Sequence, residues 1–286
     1  MAACACFGVM AVCVKFAGRT IPVWELLVLR TVFALMFLAP ICYRAGTTIL
    51  KTRHCRVHLI RSALGVCGAT SFFLAVTHLD LAFVTTLSFT RALFVIVLAL
   101  LFLGETIKWR RSLATLTGFL GVLICIQPGT ETFDPWSLAA LSFAVFSAGV
   151  TAAVKKLTIT ESPLTILFYT YLFMGLMTLG PALLVWHSPS AYELGLMVAL
   201  ALFSILGQGA MVHGLREGEV TALAPVEYVR LLFSALFGYL FFAEVAESST
   251  WLGAAVIIGS TLYIAIREAR LNRRQGARSA VDQESL

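Results

Sequence analysis

Ten long apolar stretches, separated by short polar segments, constrain this chain of 286 residues more than any other feature. A membrane-spanning helix needs about 20 mostly apolar residues. The stretches are continuously apolar instead of alternating, which favours helices over membrane β-strands. The sequence therefore predicts an all-α, polytopic membrane protein with ten transmembrane helices, at residues 2–18, 23–43, 60–77, 81–103, 112–127, 136–154, 164–186, 194–214, 220–242 and 250–267.

The composition agrees, because 59% of the residues are hydrophobic and 13% are charged, against roughly 45–50% and 25% in soluble domains. It excludes a soluble enzyme, a disordered chain and a disulfide scaffold. Lys15 interrupts the first stretch, but no basic residue precedes that stretch, as a signal peptide would require. We interpret it as a span whose Lys15 side chain reaches toward the membrane interface.

The basic residues predict how the chain lies in the membrane. Of the 21 Lys and Arg residues, 16 fall on one side of the predicted bundle, five of them from Arg44 to Arg61. The opposite loops are mainly acidic. Because basic loops stay in the cytoplasm, we expect an inner-membrane protein with both termini cytoplasmic. The net charge of +6 then reflects topology and contact with anionic lipids, and no nucleic-acid partner is expected.

The two halves of the chain repeat each other. Residues 91–105 and 230–244 align at an offset of 139 with six identities in fifteen positions, including an Arg and a Glu. Pro22 matches Pro163 at an offset of 141. Five spans in each half is an odd number, so the second half enters the membrane from the opposite side, as in many secondary transporters. The predicted units are a first five-helix repeat at 1–128, a second at 133–268 and a basic cytoplasmic tail at 269–286.

The arginine-bearing fourth and ninth spans end in Gly104-Glu105 and Ala243-Glu244, and seven residues separate Pro22 from Arg30. With the two repeats, these features resemble the drug/metabolite transporter superfamily, and within it the EamA-type ten-helix carriers. The resemblance implies a central cavity lined mainly by spans three, four, eight and nine, with parts of one and six. Such carriers include exporters of amino acids and drugs, and carriers of other metabolites such as S-adenosylmethionine.

Five charged residues lie within the apolar spans or near their ends, namely Arg30, Arg91, Arg230, Glu25 and Glu227. A charge at the bilayer centre costs about 2.5–3.5 kcal/mol, so such side chains usually face the protein interior and are paired. Two interpretations stay open. The charges bind the solute or a coupling proton, or Glu227 and Arg230, three residues apart on one helix face, form a structural pair.

If all five charges face inward, their sum of +1 favours an anionic or zwitterionic solute. Arg230 favours the ionised form of Glu227, so Glu227 either changes partners during transport or is not the site that exchanges protons. The candidate substrate and coupling residues are Arg91, Arg230, Glu227, Tyr228, Thr90, Gln208, Arg30 and Tyr171. For the polar members, a structural hydrogen bond between helices is the alternative. Pro225 is the candidate hinge, with simple helix curvature as the other interpretation.

No cofactor, metal or catalytic group is predicted. The segment from His54 to His58 resembles part of a metal site but lacks a fourth ligand, and no phosphate-binding glycine loop occurs. The sequence predicts a secondary-active transporter of small polar organic metabolites, working by alternating access and exporting its solute. Uptake or exchange of a metabolite such as S-adenosylmethionine is one alternative. An integral-membrane enzyme acting on lipid-linked substrates is another. The oligomeric state stays open.

Overall fold

The computed structural model describes residues 2–46, 49, 52–95, 97, 109–131, 133–217 and 220–284, with the side chains of residues 2, 110, 111, 215, 217, 220–227 and 268–284 outside the description. Ten α-helices are assigned in these residues: α1 (Ala2–Ala17), α2 (Val23–Ala45), α3 (Cys55–His78), α4 (Leu81–Ser88), α5 (Trp109–Ile126), α6 (Ser137–Leu157), α7 (Pro163–Leu184), α8 (Ala191–Glu217), α9 (Val220–Phe242) and α10 (Ser248–Glu284). The prediction of an all-α protein with ten helices is confirmed.

Six of these helices, α2, α3, α6, α7, α8 and α10, are long and apolar enough to cross a membrane, and shorter apolar helices account for the rest. At most half of the residues in each of the six spans are buried inside the protein. Large apolar side chains such as Leu176, Leu183 and Leu240 are exposed. Lipid provides the apolar surroundings that a soluble protein would find in its own core. The last helix continues to Glu284, beyond the predicted end of its span at residue 267.

The two halves pack as an inverted pair. Helix α1 packs along α8 as α6 packs along α3, and α3 contacts α7 as α8 contacts α2. At one end of the bundle, Lys15 of α1 donates to the carbonyl of Leu79 just after α3, and His78 stacks on Trp136 at the start of α6. The end of α1 and the start of α6 thus lie together. The first helices of the two halves run in opposite directions.

A pair of hydrogen bonds repeats this symmetry. The Thr20 hydroxyl donates to Glu193 at 2.5 Å, and the Thr52 hydroxyl donates to Glu161 at 2.7 Å. At the offset of 141 that relates the two prolines, Thr20 corresponds to Glu161 and Thr52 to Glu193. The threonine position of each bond corresponds to the glutamate position of the other, so the two bonds are related by the repeat. One bond lies at each end of the bundle.

Close approach between α1 and α8 depends on a glycine. A Cβ atom on Gly207 would lie 2.9 Å from the Phe7 ring, so only glycine lets this ring lie flat against α8. With the bond from Thr20 to Glu193 at their other ends, α1 and α8 are antiparallel. Ala3 and Gly214 therefore share one end of the bundle, the Ala3 end, whereas Lys15 marks the opposite Lys15 end.

Candidate functional site

Regular helical structure is interrupted at the end of α4. The backbone turns at Phe89 and Thr90, whose N–H groups donate to carbonyls three residues back, and helix resumes at residues 91–95. Hydroxyl groups bond the local carbonyls, since Ser88 Oγ donates to Thr85 O at 2.7 Å and Thr90 Oγ1 donates to Leu87 O at 2.6 Å. Serine and threonine can satisfy backbone groups that a broken helix frees inside a membrane. The interruption directly precedes Arg91.

A cavity of about 380 Å³ lies between the two halves. Helices α1, α2, α3, α4, α6, α7, α8 and α9 contribute to its wall, with Arg91 just beyond the interruption in α4. The resemblance to known carriers implied six of these spans, and the structure adds α2 and α7 through Arg30 and Tyr171. The volume is within the roughly 300–1,000 Å³ of small-molecule sites.

The cavity wall is cationic. Four arginines line it, Arg30, Arg61, Arg91 and Arg230, and none of the described lining residues is acidic. Arg61 was assigned from the sequence to the basic loop that ends at residue 61. That assignment is wrong, because α3 begins at Cys55 and Arg61 lies nearly two turns into it with 1% of its surface exposed. Every third or fourth residue from Arg61 to Phe72 along α3 also lines the cavity. The sequence carries no periodic signal for this face, because α3 has almost no difference in hydrophobicity between its sides.

Glu25 does not line the cavity, although its charge was included in the predicted sum. It is fully buried in the first turn of α2, where Oε2 accepts a hydrogen bond from the His187 backbone N–H at 3.0 Å. Glu25 therefore joins α2 to the segment between α7 and α8. Adding Arg61 and removing Glu25 makes the described wall of the cavity more positive than the sequence indicated.

One side of the cavity is formed by Arg30 and Arg61. The Arg61 guanidinium donates to Gln208 Oε1 at 3.4 Å, and the Arg30 guanidinium lies 3.9 Å from Met174 Sδ and over the Phe73 ring. Tyr171 lines the same cavity, and its hydroxyl bonds to Ser204 at 3.1 Å.

Arg230 lies where the two halves meet at α4 and α9. Its guanidinium donates to the Ser88 hydroxyl and lies over the Phe89 ring, 5.7 Å from the centroid. Nearby, the Thr85 hydroxyl donates to Ser234 at 2.7 Å, which ties α4 to α9. At the repeat offset of 139, Ser88 corresponds to Glu227. Arg230 of the second half therefore contacts Ser88, which occupies in the first half the position that Glu227 occupies in the second.

The residues that the sequence predicted for the site divide into three groups. Arg30, Arg91, Arg230, Gln208 and Tyr171 line the cavity. Thr90 and Tyr228 are outside the lining set. Thr90 is fully buried at the α4 interruption, and the Tyr228 hydroxyl bonds to Thr261 while its ring meets Phe89 edge-on. The side chains of Glu227 and Pro225 lie outside the described residues, and the backbone is helical through both positions.

The cavity extends to the Ala3 end and is closed at the Lys15 end. Its lining includes Ala3, Met211 and Gly214. At the opposite end, Lys15 forms a salt bridge with Glu244, which also accepts from the Leu81 N–H. The Lys15 side chain is buried there against Glu244, Leu79 and the Phe242 ring, so protein groups at this end of the bundle surround its charge. This cluster joins α1, α4 and α9.

Comparison with known proteins agrees with this architecture. The model of the EamA-like transporter family matches residues 1–127 and 134–266. A solved crystal structure superimposes with a TM-score of 0.67 at 17% identity, over 94% of this chain and 95% of that one, which supports the fold alone.

Three relatives indicate the class of activity. An S-adenosylmethionine uptake transporter of Rickettsia felis is 34% identical, with 91% of this chain and 89% of that protein covered. A riboflavin transporter of Brucella anthropi is 31% identical, over 96% and 99%. A pseudopaline exporter of Pseudomonas aeruginosa is 28% identical, over 88% and 89%. All are transporters and none is an enzyme, so the chain is a multi-pass membrane transporter that belongs to the EamA-like transporter family.

Proposed function

We propose that this protein is a secondary-active carrier of a small anionic or zwitterionic organic metabolite, which binds in the central cavity. The observation that carries the proposal is a cavity lined by four arginines with no acidic group among its described lining residues. Cations in a low-dielectric wall attract an anionic group and repel a cationic one. Walls of Phe7, Phe72 and Phe143 offer apolar contact to the rest of the solute.

Transport would proceed by alternating access between two repeats, residues 1–128 and 133–268, that rock about the cavity. The closed Lys15 end and the cavity that reaches the Ala3 end correspond to one state of that cycle. We further propose, from the basic loops, that the protein lies in the inner membrane with both termini in the cytoplasm. The cavity would then be open to the cytoplasm.

The direction of transport separates two versions of the proposal. Export is the expectation from the family resemblance, and one relative is named an exporter. Uptake or exchange of S-adenosylmethionine is the second candidate, favoured by the relatives at 32–34% identity that carry that name. The carboxylate of S-adenosylmethionine suits the arginines and its sulfonium suits the phenylalanine rings, but its ammonium and sulfonium together give it a net positive charge, which the cationic wall disfavours.

Flux in liposomes tests the carrier proposal. Reconstituted protein is assayed with labelled amino acids, nucleotides and S-adenosylmethionine, with and without a pH gradient, and with each solute inside or outside. We expect saturable flux of at least one anionic or zwitterionic solute. A response to the pH gradient would identify a coupling proton. Folded protein that moves none of these solutes would contradict the proposal.

Two substitutions test the predicted charges. Arg230→Ala and Glu227→Gln are each expected to abolish flux and to leave the protein folded, if these residues bind the solute or a coupling ion. Arg267→Ala, at the end of the last predicted span, serves as the matched control and should transport as the native protein does. Normal transport in both Arg230→Ala and Glu227→Gln would assign these residues a structural role.

A further inference from the structure

Arg30 and Arg61 are buried, whereas the other two cavity arginines, Arg91 and Arg230, are partly exposed. Arg30 and Arg61 are 5% and 1% exposed, and the Nε of each is buried without a hydrogen-bond partner. Their described hydrogen bonds are one at 3.4 Å to Gln208 and one at 3.9 Å to the weak acceptor sulfur of Met174. A guanidinium carries five N–H donors, so most donors of this pair lack a protein acceptor among the described residues.

No described carboxylate compensates the two charges. The salt bridge recorded for the described residues is the one between Lys15 and Glu244 at the Lys15 end. Glu25, earlier on α2, is bonded to the His187 backbone. The Met174 sulfur that contacts Arg30 would lie 3.3 Å from a Cβ atom on Gly65, one turn after Arg61, so the two cations share one part of the cavity wall. Two like charges buried together without a counter-ion are unfavourable, and such a pair persists where a ligand supplies the opposite charge.

We propose that Arg30 and Arg61 form a carboxylate subsite for the solute. Two planar guanidinium groups can each donate two parallel hydrogen bonds to a carboxylate, a geometry that lysine cannot reproduce. Gln208 accepts a hydrogen bond from Arg61, and Tyr171, which bonds to Ser204 at 3.1 Å, lines the same cavity. The subsite rests on the proposed carrier function and names the group of the solute that the cavity recognises.

The subsite accounts for helices α2 and α7 in the cavity wall. Arg30 comes from α2 and Arg61 from α3 in the first half, whereas Tyr171 comes from α7 and Gln208 from α8 in the second. A carboxylate bound between them would bridge the two repeats. Its charge would compensate Arg30 and Arg61 within the first half, and its contacts with Tyr171 and Gln208 would link it to the second half, which couples recognition to the rocking of the repeats.

The test compares probes that differ by one carboxylate. Thermal unfolding of the purified full chain is measured with S-adenosylmethionine against its decarboxylated form, and with butyrate against butyramide. We expect the carboxylate member of at least one pair to raise the unfolding midpoint, and the member that lacks the carboxylate to have no such effect. An equal response to both members of each pair, including no response, overturns the subsite.

Substitutions of Arg61 locate the effect. In Arg61→Met the apparent Kd of the stabilising carboxylate should rise about ten- to hundredfold. Arg61→Lys, which keeps the charge without the planar fork, should give a smaller rise. Arg56→Met, an exposed position on the same helix, should leave the Kd unchanged. A carboxylate response in Arg61→Met that equals the native one overturns the subsite, and Arg61→Lys carries the test if Arg61→Met does not fold.

The unfolding midpoint of Arg61→Met without ligand distinguishes a ligand-binding role from a structural one, because the two roles predict changes of opposite sign. If Arg61 awaits a carboxylate, Arg61→Met removes an uncompensated buried cation, and the midpoint without ligand should rise. If Arg61 instead stabilises the fold, the unfolding midpoint should fall.

Flux separates the subsite from the carrier proposal. Absent flux with an intact carboxylate response overturns the carrier and leaves the subsite. Flux in Arg61→Met with an unchanged KM for the carboxylate overturns the subsite and leaves the carrier.

Discussion

Single buried charges decide what this bundle can do. Arg61 and Lys15 look alike in the sequence, since each is a cation at the edge of an apolar stretch. In the structure Lys15 is paired with Glu244, whereas Arg61 faces the cavity with Gln208 as its hydrogen-bond partner. The salt bridge of Lys15 joins helices at one end of the bundle. Arg61 has no described counter-ion and is therefore able to attract an anionic ligand.

The pair of Lys15 and Glu244 should be strongly coupled. Lys15→Met leaves Glu244 buried without its cation and is expected to lower the free energy of unfolding by about 3–5 kcal/mol. Lys15→Met combined with Glu244→Met should cost far less than the sum of the two single changes. Denaturation of all four proteins in detergent measures the coupling, and additive costs would show that the two charges act independently.

Asp80, between α3 and α4, should make stability depend on pH. Burial raises the pKa of its carboxyl, and the nearby negative charge of Glu244 raises it further. An acid whose pKa is higher in the folded than in the unfolded chain holds its proton more tightly when folded. Stability is therefore lost as the pH rises from the ordinary aspartate value through the raised one.

Asp80→Asn removes this loss. It should raise the unfolding midpoint at neutral pH, and the gain should shrink as the pH is lowered toward the ordinary aspartate pKa of 3.8. Thermal unfolding of the native and substituted proteins across this range provides the measurement. A gain that grows on acidification would contradict the assignment.

At the scale of elements, small residues and hydroxyl groups determine how the helices meet. The interruption of α4 at Phe89 and Thr90 places Arg91 at the cavity, and hydroxyl groups bond the carbonyls beside it. Gly207 lets α8 approach the Phe7 ring of α1. The sequence could not say which ring Gly207 would meet, because that ring lies on a helix about 200 residues away.

Two glycines on α8 form a matched pair. In the interior of a helix, alanine is favoured over glycine by about 1 kcal/mol, so Gly209→Ala, whose new Cβ would lie 3.7 Å from Leu167, should stabilise the protein slightly. Gly207→Ala would place a Cβ 2.9 Å from Phe7 and should cost about 1–3 kcal/mol of strain before that gain. Unfolding midpoints compare the two, and equal midpoints would contradict close packing at Gly207.

At the scale of the whole molecule, the inverted repeat gives the bundle two ends that differ in this structure. The two bonds between threonine and glutamate tie both ends alike. The salt bridge of Lys15 is at one end, and the cavity reaches the other. A pseudo-symmetric protein observed in an asymmetric state is what alternating access requires.

Cysteine labelling in oriented vesicles tests this arrangement. In a cysteine-free background, Gly214→Cys at the Ala3 end should react with a membrane-impermeant thiol reagent only from the cytoplasmic side. Ser188→Cys, at an exposed position just before α8, should react only from the other side, because α8 crosses the membrane between them. The reverse pattern would place both termini outside the cytoplasm.

The sequence by itself determined the class, the helix count and the repeat, because hydropathy and residue identities along each segment report them without reference to a partner. It also identified Arg30, Arg91, Arg230, Gln208 and Tyr171, all of which line the cavity. Only the tertiary structure decided that Arg61 joins them and that Lys15 and Glu25 do not. The environment of a charge depends on which distant helices surround it, and that information is not local.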